Sequence, residues 1–163
     1  MPGKLQKEIA KTGPFAALEE EASLNILRTA DRLAGCFEHI LKPKGLTPTQ
    51  YNVLRILRGV SPQGIACQEI AQRMITRDAD LTRLLDRLES RQLVGRQRQA
   101  SDRRVVHISI TQTGLVLLGD LDAAVVEMNR KLLGHLSPEK LHNLIELLEL
   151  AREHAEEDPP HLT

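Results

Sequence analysis

Apolar residues recur at helical spacing towards both ends of the chain and change to a two-residue period only between about 93 and 110. From Leu18 to Leu41, Leu27, Ala30, Ala34, Phe37 and Leu41 alternate steps of three and four, and Leu33 and Ile40 widen the stripe. This is the pattern of an amphipathic helix, and Pro43 ends it because the residue before a proline avoids the helical region. Thr47-Pro48-Thr49-Gln50 then opens another. Thr supplies an N-cap, Pro suits the first helical position, and Gln at the third can close a capping box. The helix it predicts, about 48–58, buries Tyr51 or Val53 together with Leu54 and Leu57. Gly59, Pro62 and Gly64 mark a loop. A short helix around Cys67–Met74 is expected to turn Ile70, Ala71 and Met74 inward. The next is expected within 76–91, starting at Thr76, with Leu81, Leu84, Leu85 and Leu88 on one face. Arg77, Asp78, Arg83 and Arg87 are left for solvent or a partner.

The period then shortens. Leu93–Arg98 and Arg104–Ile110 read as two strands, the second with Val106, Ile108 and Ile110 on one face and Val105, His107 and Ser109 on the other. The polar Gln99–Arg103 between them is too long for a two-residue turn, so the hairpin projects. After Thr111, Leu115, Leu118, Leu121, Val125, Met128 and Leu132 form a long stripe. Ser137-Pro138-Glu139 starts a last helix carrying Leu141, Leu144, Leu148 and Ala151. The fold class is mainly α with a small antiparallel β-hairpin. The long terminal helices exceed what a small lobe needs for its own core, which suggests a two-fold dimer interface; the alternative is that they fold back as a bundle within one chain.

Composition agrees with a helical core. Of 163 residues, 41% are hydrophobic but only 2% are aromatic, with no Trp, so Leu, Ile, Val and Ala must fill the interior. No apolar run reaches the ~18–20 residues a membrane span requires, and Met1–Lys11 has no signal-peptide core. Neither a membrane span nor a secretory signal is predicted, and the expected compartment is the cytoplasm. Net charge is zero, but its distribution is not even: residues 1–72 hold nine cations and seven anions, 73–104 nine and five, and 105–163 four and ten. The basic middle is what an electrostatic footprint on nucleic acid leaves. All nine of its cations are arginine, which forks onto phosphates and guanine edges, although a solvated face laced with ion pairs has the same composition.

Other chemistry is thinly represented. Cys36 and Cys67 are too few for a disulfide framework, and read either as small buried hydrophobes or as redox sensors. Cys67, near a helix start, has the better field for a reactive thiolate. The six histidines form no HxxxH pair, so no metal site is expected. Nucleophile elbow, phosphate-cradling Gly loop and HExxH are all missing, so neither an enzyme nor a cofactor is expected.

The order of helices with a hairpin before the last two resembles the MarR family of bacterial regulators. Gly45-Leu46-Thr47 with Gln50 and Val53-Leu54 is similar to that family's second-helix opening, and Leu81-Thr82-Arg83-Leu84-Leu85-Asp86-Arg87-Leu88-Glu89 to its recognition helix. Leu93-Val94 with Arg96 resembles its first wing strand and Asp102-Arg103-Arg104 its wing tip, and Ile110-Thr111 with Gly114 completes the series. The likeness spans about 20–155. Two positions depart from it: Gln92 stands where a glycine usually ends the recognition helix, and Ala66 where Ser or Thr usually caps the short helix.

The resemblance implies a winged helix-turn-helix with N- and C-terminal dimerisation helices. The segments would be 1–17 as an N-terminal extension, flexible or helical, 18–44 and 111–157 as dimerisation helices, 45–110 as the DNA-binding lobe and 158–163 as a tail. The partner would be double-stranded DNA, with helix 76–91 in the major groove and the wing, 96–106, in the minor groove. Arg77, Asp78 and Asp80 would face bases, while Thr82, Arg83 and Arg87 hold phosphates. For Arg83 the competing reading is an ion pair with Asp80 or Asp86. Asp102 would orient Arg104 into the minor groove, with Arg103 beside it. The resemblance also implies a homodimeric repressor on a pseudo-palindromic operator, released by a small aromatic or phenolic acid. Phe37, His39, Tyr51 and Arg55 are candidate liners of the effector pocket, and plain core is the alternative for the aromatic pair. Competing functions are a cysteine-based redox regulator of the same fold and a winged module that binds protein.

Overall fold

The computed structural model of the protein describes residues 3–76, 80–98 and 106–157, the last four by backbone alone. The element order is α1 (Lys4–Glu8), α2 (Leu18–Leu41), a 3-10 turn (Lys42–Lys44), α3 (Pro48–Gly59), β1 (Ile65–Ala66), α4 (Cys67–Arg73), α5 (Leu81–Ser90), β2 (Val94–Arg98), β3 (Val106–Ile110), α6 (Gln112–Leu133) and α7 (Pro138–Glu157). The chain divides into two compact units, residues 1–122 and 123–163.

The core of the first unit is aliphatic. Val53, Leu54 and Leu57 of α3, Ile70 of α4, Leu85 and Leu88 of α5, and Ile108 of β3 are almost fully excluded from water. Each such side chain contributes about 1.5–3 kcal/mol by burial. Tyr51 and Val53 are both buried, so the alternative left open between them resolves to both. The Thr47 cap forms as its sequence dictates. The Gln50 N–H donates to Thr47 Oγ1 at 3.2 Å, and the Thr47 N–H donates to Gln50 Oε1 at 3.1 Å. Ala66 has no side-chain acceptor, so α4 keeps only the reverse half of such a box, with the Ala66 N–H donating to Glu69 Oε1 at 3.3 Å.

Several expected boundaries shift. The hairpin gains a third strand, giving a sheet of order β1-β3-β2 with Ile65 opposite Ile108 and Arg96 opposite Ile108 on the other side. Two residues of strand carry too little periodicity to be read from sequence. Gly64 (φ 69°) permits the pairing, because a Cβ there would collide with the Ile108 carbonyl oxygen. Helix α4 stops at Arg73. Ala71, within the helix, is exposed, and Met74 follows in extended conformation, half-buried, where both were expected inward.

The next helix, expected from Thr76, begins at Leu81. Thr76 lies in a bend, and Asp80 is the N-cap, outside helical φ/ψ, accepting the Arg83 N–H on Oδ1 at 3.2 Å. An aspartate at that position competes for the first free backbone donors and starts the helix there. Its far end closes on Gln92 in the left-handed region (φ 58°). The Leu93 N–H donates to the Leu88 carbonyl at 3.0 Å and the Gln92 N–H to that of Glu89 at 2.8 Å. This is a Schellman closure made without glycine. It also removes Leu93 from the strand, so β2 starts one residue later than expected.

In the second unit, Val125 and Met128 are buried, and the Ser137 Oγ accepts the Lys140 N–H at 3.4 Å to cap α7. The apolar residues of α7 are poorly covered: Ile145 is 53%, Leu147 64% and Leu150 50% exposed. The N-terminal half of the α2 stripe is also open, with Leu27 exposed instead of packed.

Candidate nucleic-acid interface

Helix α5 has one apolar and one polar face. Leu81, Leu84, Leu85 and Leu88 face the core, and α5 packs on α4 and β2. Thr82, Arg83, Asp86, Arg87 and Ser90 occupy the opposite, exposed face. This is the arrangement that lets a helix present donors to a groove one α-helix wide without disturbing the core behind it. Arg83 is held at the helix start, its Nε 3.1 Å from Asp80 Oδ2. The local ion pair expected as the competing reading thus forms, and it leaves the Arg83 side chain 76% exposed.

Between the first turn of α3 and α5 lies an open cleft of about 270 Å³, lined by Thr47, Thr49, Gln50, Asp80, Arg83, Leu84 and Arg87. Asp80, Arg83 and Arg87 therefore share one surface. Thr49 joins them, a residue whose sequence context pointed only to helix capping. Arg77 and Asp78 lie outside the described residues, as do Asp102, Arg103 and Arg104; Thr82 is on the exposed face of α5.

Two arginines not singled out as site residues hold α5 in place. Arg96 on β2 donates from Nη1 to Glu89 Oε2 at 2.9 Å and from Nη2 to Asp86 Oδ1 at 2.7 Å. Arg91 donates from Nη1 to the Gly45 carbonyl at 2.6 Å and from Nη2 to the Lys44 carbonyl at 2.9 Å, fastening the end of α5 to the turn after α2. Lys44 in turn pairs with Asp120 of α6 at 2.9 Å. The sequence signal for Arg96 was the pair of acids three residues apart on a helix otherwise rich in arginine. Helix α6 enters close to the wing. A Cβ on Gly114 would strike the Leu93 carbonyl oxygen and Ile110 Cγ1, so only glycine fits.

Of the four candidate effector liners, three meet. Phe37 and Tyr51 have ring centroids 6.5 Å apart, and Arg55 donates to the Tyr51 hydroxyl at 3.0 Å while lying over its ring. His39 is exposed two residues from Phe37 on α2 and therefore points away from Phe37 around the helix. Nearby, Arg58 forks onto Asp122 at 2.8 and 2.9 Å. The hydrogen bonds from Arg58 hold the Asp122 carboxyl below the usual carboxylate range, and the same contact raises Arg58. Cys36 and Cys67 are both free thiols, half-buried, on α2 and α4. Among the described residues no group of His, Cys, Asp and Glu could hold a metal, and no helix is long and apolar enough to cross a membrane.

The pattern that defines the MarR family matches residues 46–106, the segment from the turn before α3 through the first residue of β3. A MarR transcription factor from Planctomyces limnophilus is 44% identical, with 84% of this chain matched to 99% of that one at a TM-score of 0.64. The chain belongs to the MarR family. MepR of S. aureus, solved as a complex with DNA, has 22% identity over 81% of this chain and 96% of its own, with a TM-score of 0.74. BpsR of Bordetella bronchiseptica, whose DNA binding is regulated by 6-hydroxynicotinic acid, has 22% identity over 90% of this chain and 100% of its own, also at 0.74. At those identities the two share the fold with this chain. As a MarR-family transcriptional regulator with a winged helix, this protein is DNA-binding.

Proposed function

We propose that the protein is a homodimeric repressor that binds a pseudo-palindromic operator, with the 77–80 segment and α5 in the major groove and the wing tip in the minor groove. The observation that carries this reading is the division of α5 into a buried leucine face and an exposed face bearing Arg83 and Arg87. Arg77, Asp78 and Asp80 face base edges; Thr82, Arg83 and Arg87 contact phosphates. Asp80 is also a helix cap, accepting the Arg83 N–H on Oδ1 and pairing with Arg83 Nε through Oδ2. Asp102 orients Arg104 into the minor groove, with Arg103 on the adjacent backbone. Segments 18–44 and 111–157 form the dimer interface, a role that agrees with the bare leucines of α7.

A small aromatic acid releases the repressor. Its stacking partners are Phe37 and Tyr51, and its carboxylate meets Arg55, which stays exposed beside the Tyr51 hydroxyl. BpsR supports this choice of effector class, since an aromatic acid regulates that relative.

Selection of bound fragments from genomic DNA tests the reading. Recovered sites should contain inverted half-sites about one helical turn, ~34–36 Å, apart. Binding should weaken steeply as salt rises, because phosphate contacts release counterions. A set of aromatic acids should then include one that dissociates the complex. Recovery of unrelated fragments with a flat salt response would remove the operator reading, and indifference to every acid would remove the effector.

A further inference from the structure

We propose that Arg96 is a positioning residue that sets the angle between the wing and the recognition helix, by forking from β2 onto Asp86 and Glu89 of α5. This role rests on the wing reading of the proposed function. Three observations carry it. Arg96 lies two residues into β2, and its backbone pairs with β3 opposite Ile108, so its Cα is fixed by the sheet. Its two terminal nitrogens reach two different carboxylates, at 2.7 Å and 2.9 Å, one turn apart on α5. The side chain is only 30% exposed, which makes this the least solvated of the ion pairs on α5. A planar fork with both ends engaged resists rotation as well as translation, unlike a single point charge.

Electrostatics makes the arrangement informative. Two carboxylates on a helix that approaches a polyanion oppose binding, and deleting them would be the simplest way to raise affinity. Here both lie beside an arginine that satisfies them. The geometry points to orientation of the wing strands as what they supply: β2 cannot swing relative to α5 while both hydrogen bonds hold, so β2 and the exposed face of α5 address the duplex at one fixed separation.

The test uses the full chain on a selected operator, with hydroxyl-radical protection reading the minor groove and methylation protection of guanine N7 reading the major groove. Arg96→Lys keeps the charge and loses the fork; Asp86→Ala with Glu89→Ala keeps Arg96 and removes two negative charges. Both variants are expected to lose minor-groove protection and about tenfold in affinity, with guanine protection retained at saturation and the thermal midpoint little changed. A purely electrostatic role predicts the opposite for the double variant, tighter binding with the wing footprint intact, and that result overturns the proposal. Arg104→Ala is the control. If it leaves minor-groove protection in place, the wing reading itself is wrong and the positioning role falls with it. If it abolishes protection while the Arg96 and Asp86/Glu89 variants keep it, only the positioning role fails.

Discussion

Helices α5 and α7 carry leucines at similar spacing, yet the chain covers one and leaves the other bare. All four leucines of α5 are buried, Leu88 completely, whereas Leu144, Ile145, Leu147 and Leu150 of α7 are 37–64% exposed. The difference shows where each helix finds its partner. The apolar face of α5 is satisfied by α4 and β2 of its own chain, so its polar face is left to solvent. The exposed apolar residues of α7 agree with the proposed dimer interface, in which a second copy would present the same helix.

Substitutions in the two helices should separate these roles. Leu85→Ala on α5 empties a fully packed site and is expected to cost about 2–5 kcal/mol. Urea unfolding should show that loss independently of protein concentration. Leu147→Glu with Leu150→Glu on α7 should barely change the fold of a single chain but raise the dimer dissociation constant at least about tenfold, since a charge buried at an interface without a partner is costly. Sedimentation over a concentration series reads this directly. An unchanged dimer would mean that these leucines face no partner, and the contrast between α5 and α7 would lose its meaning.

Smaller effects refine the picture within the first unit. Asp122→Asn removes the Arg58 fork. Because the folded Asp122 carboxyl is held below its ordinary value of 3.8, its contribution is present above about pH 4 and disappears as pH falls through the folded value. On acidification from about pH 5 to about pH 2, the wild type should therefore lose slightly more stability than the variant, by under about 1 kcal/mol for a pair this exposed. Equal acid sensitivity would show that the fork contributes nothing. Gln92→Gly should raise stability by about 0.5–1 kcal/mol, since glycine adopts the left-handed closure of α5 without a Cβ clash. Thermal unfolding that moved downward would contradict the strain assigned there.

Sequence periodicity located the helices well because their apolar stripes repeat at helical spacing whether covered, as on α5, or bare, as on α7, and the Thr47–Gln50 capping box was readable to the residue. What escaped it was decided by single contacts. Strand β1 is two residues long and exists because β3 offers it an edge. The start of α5 moved from Thr76 to Leu81 because Asp80 captures the Arg83 N–H. At the site, the arginine-rich face of α5 was legible, but the partners of Arg91 and Arg96 were not, because they depend on which carbonyls and carboxylates the fold brings alongside. His39 separated from Phe37, Tyr51 and Arg55 for an equally local reason, its place around the turn of α2.

The account rests most heavily on the wing, and one titration tests it. Wild type and Arg104→Ala are compared on the same selected operator at one salt concentration, with sedimentation confirming that both remain dimers. The account predicts a loss of affinity of about tenfold or more for the variant, in keeping with removal of a charged minor-groove contact. Equal affinity in two intact dimers would contradict it.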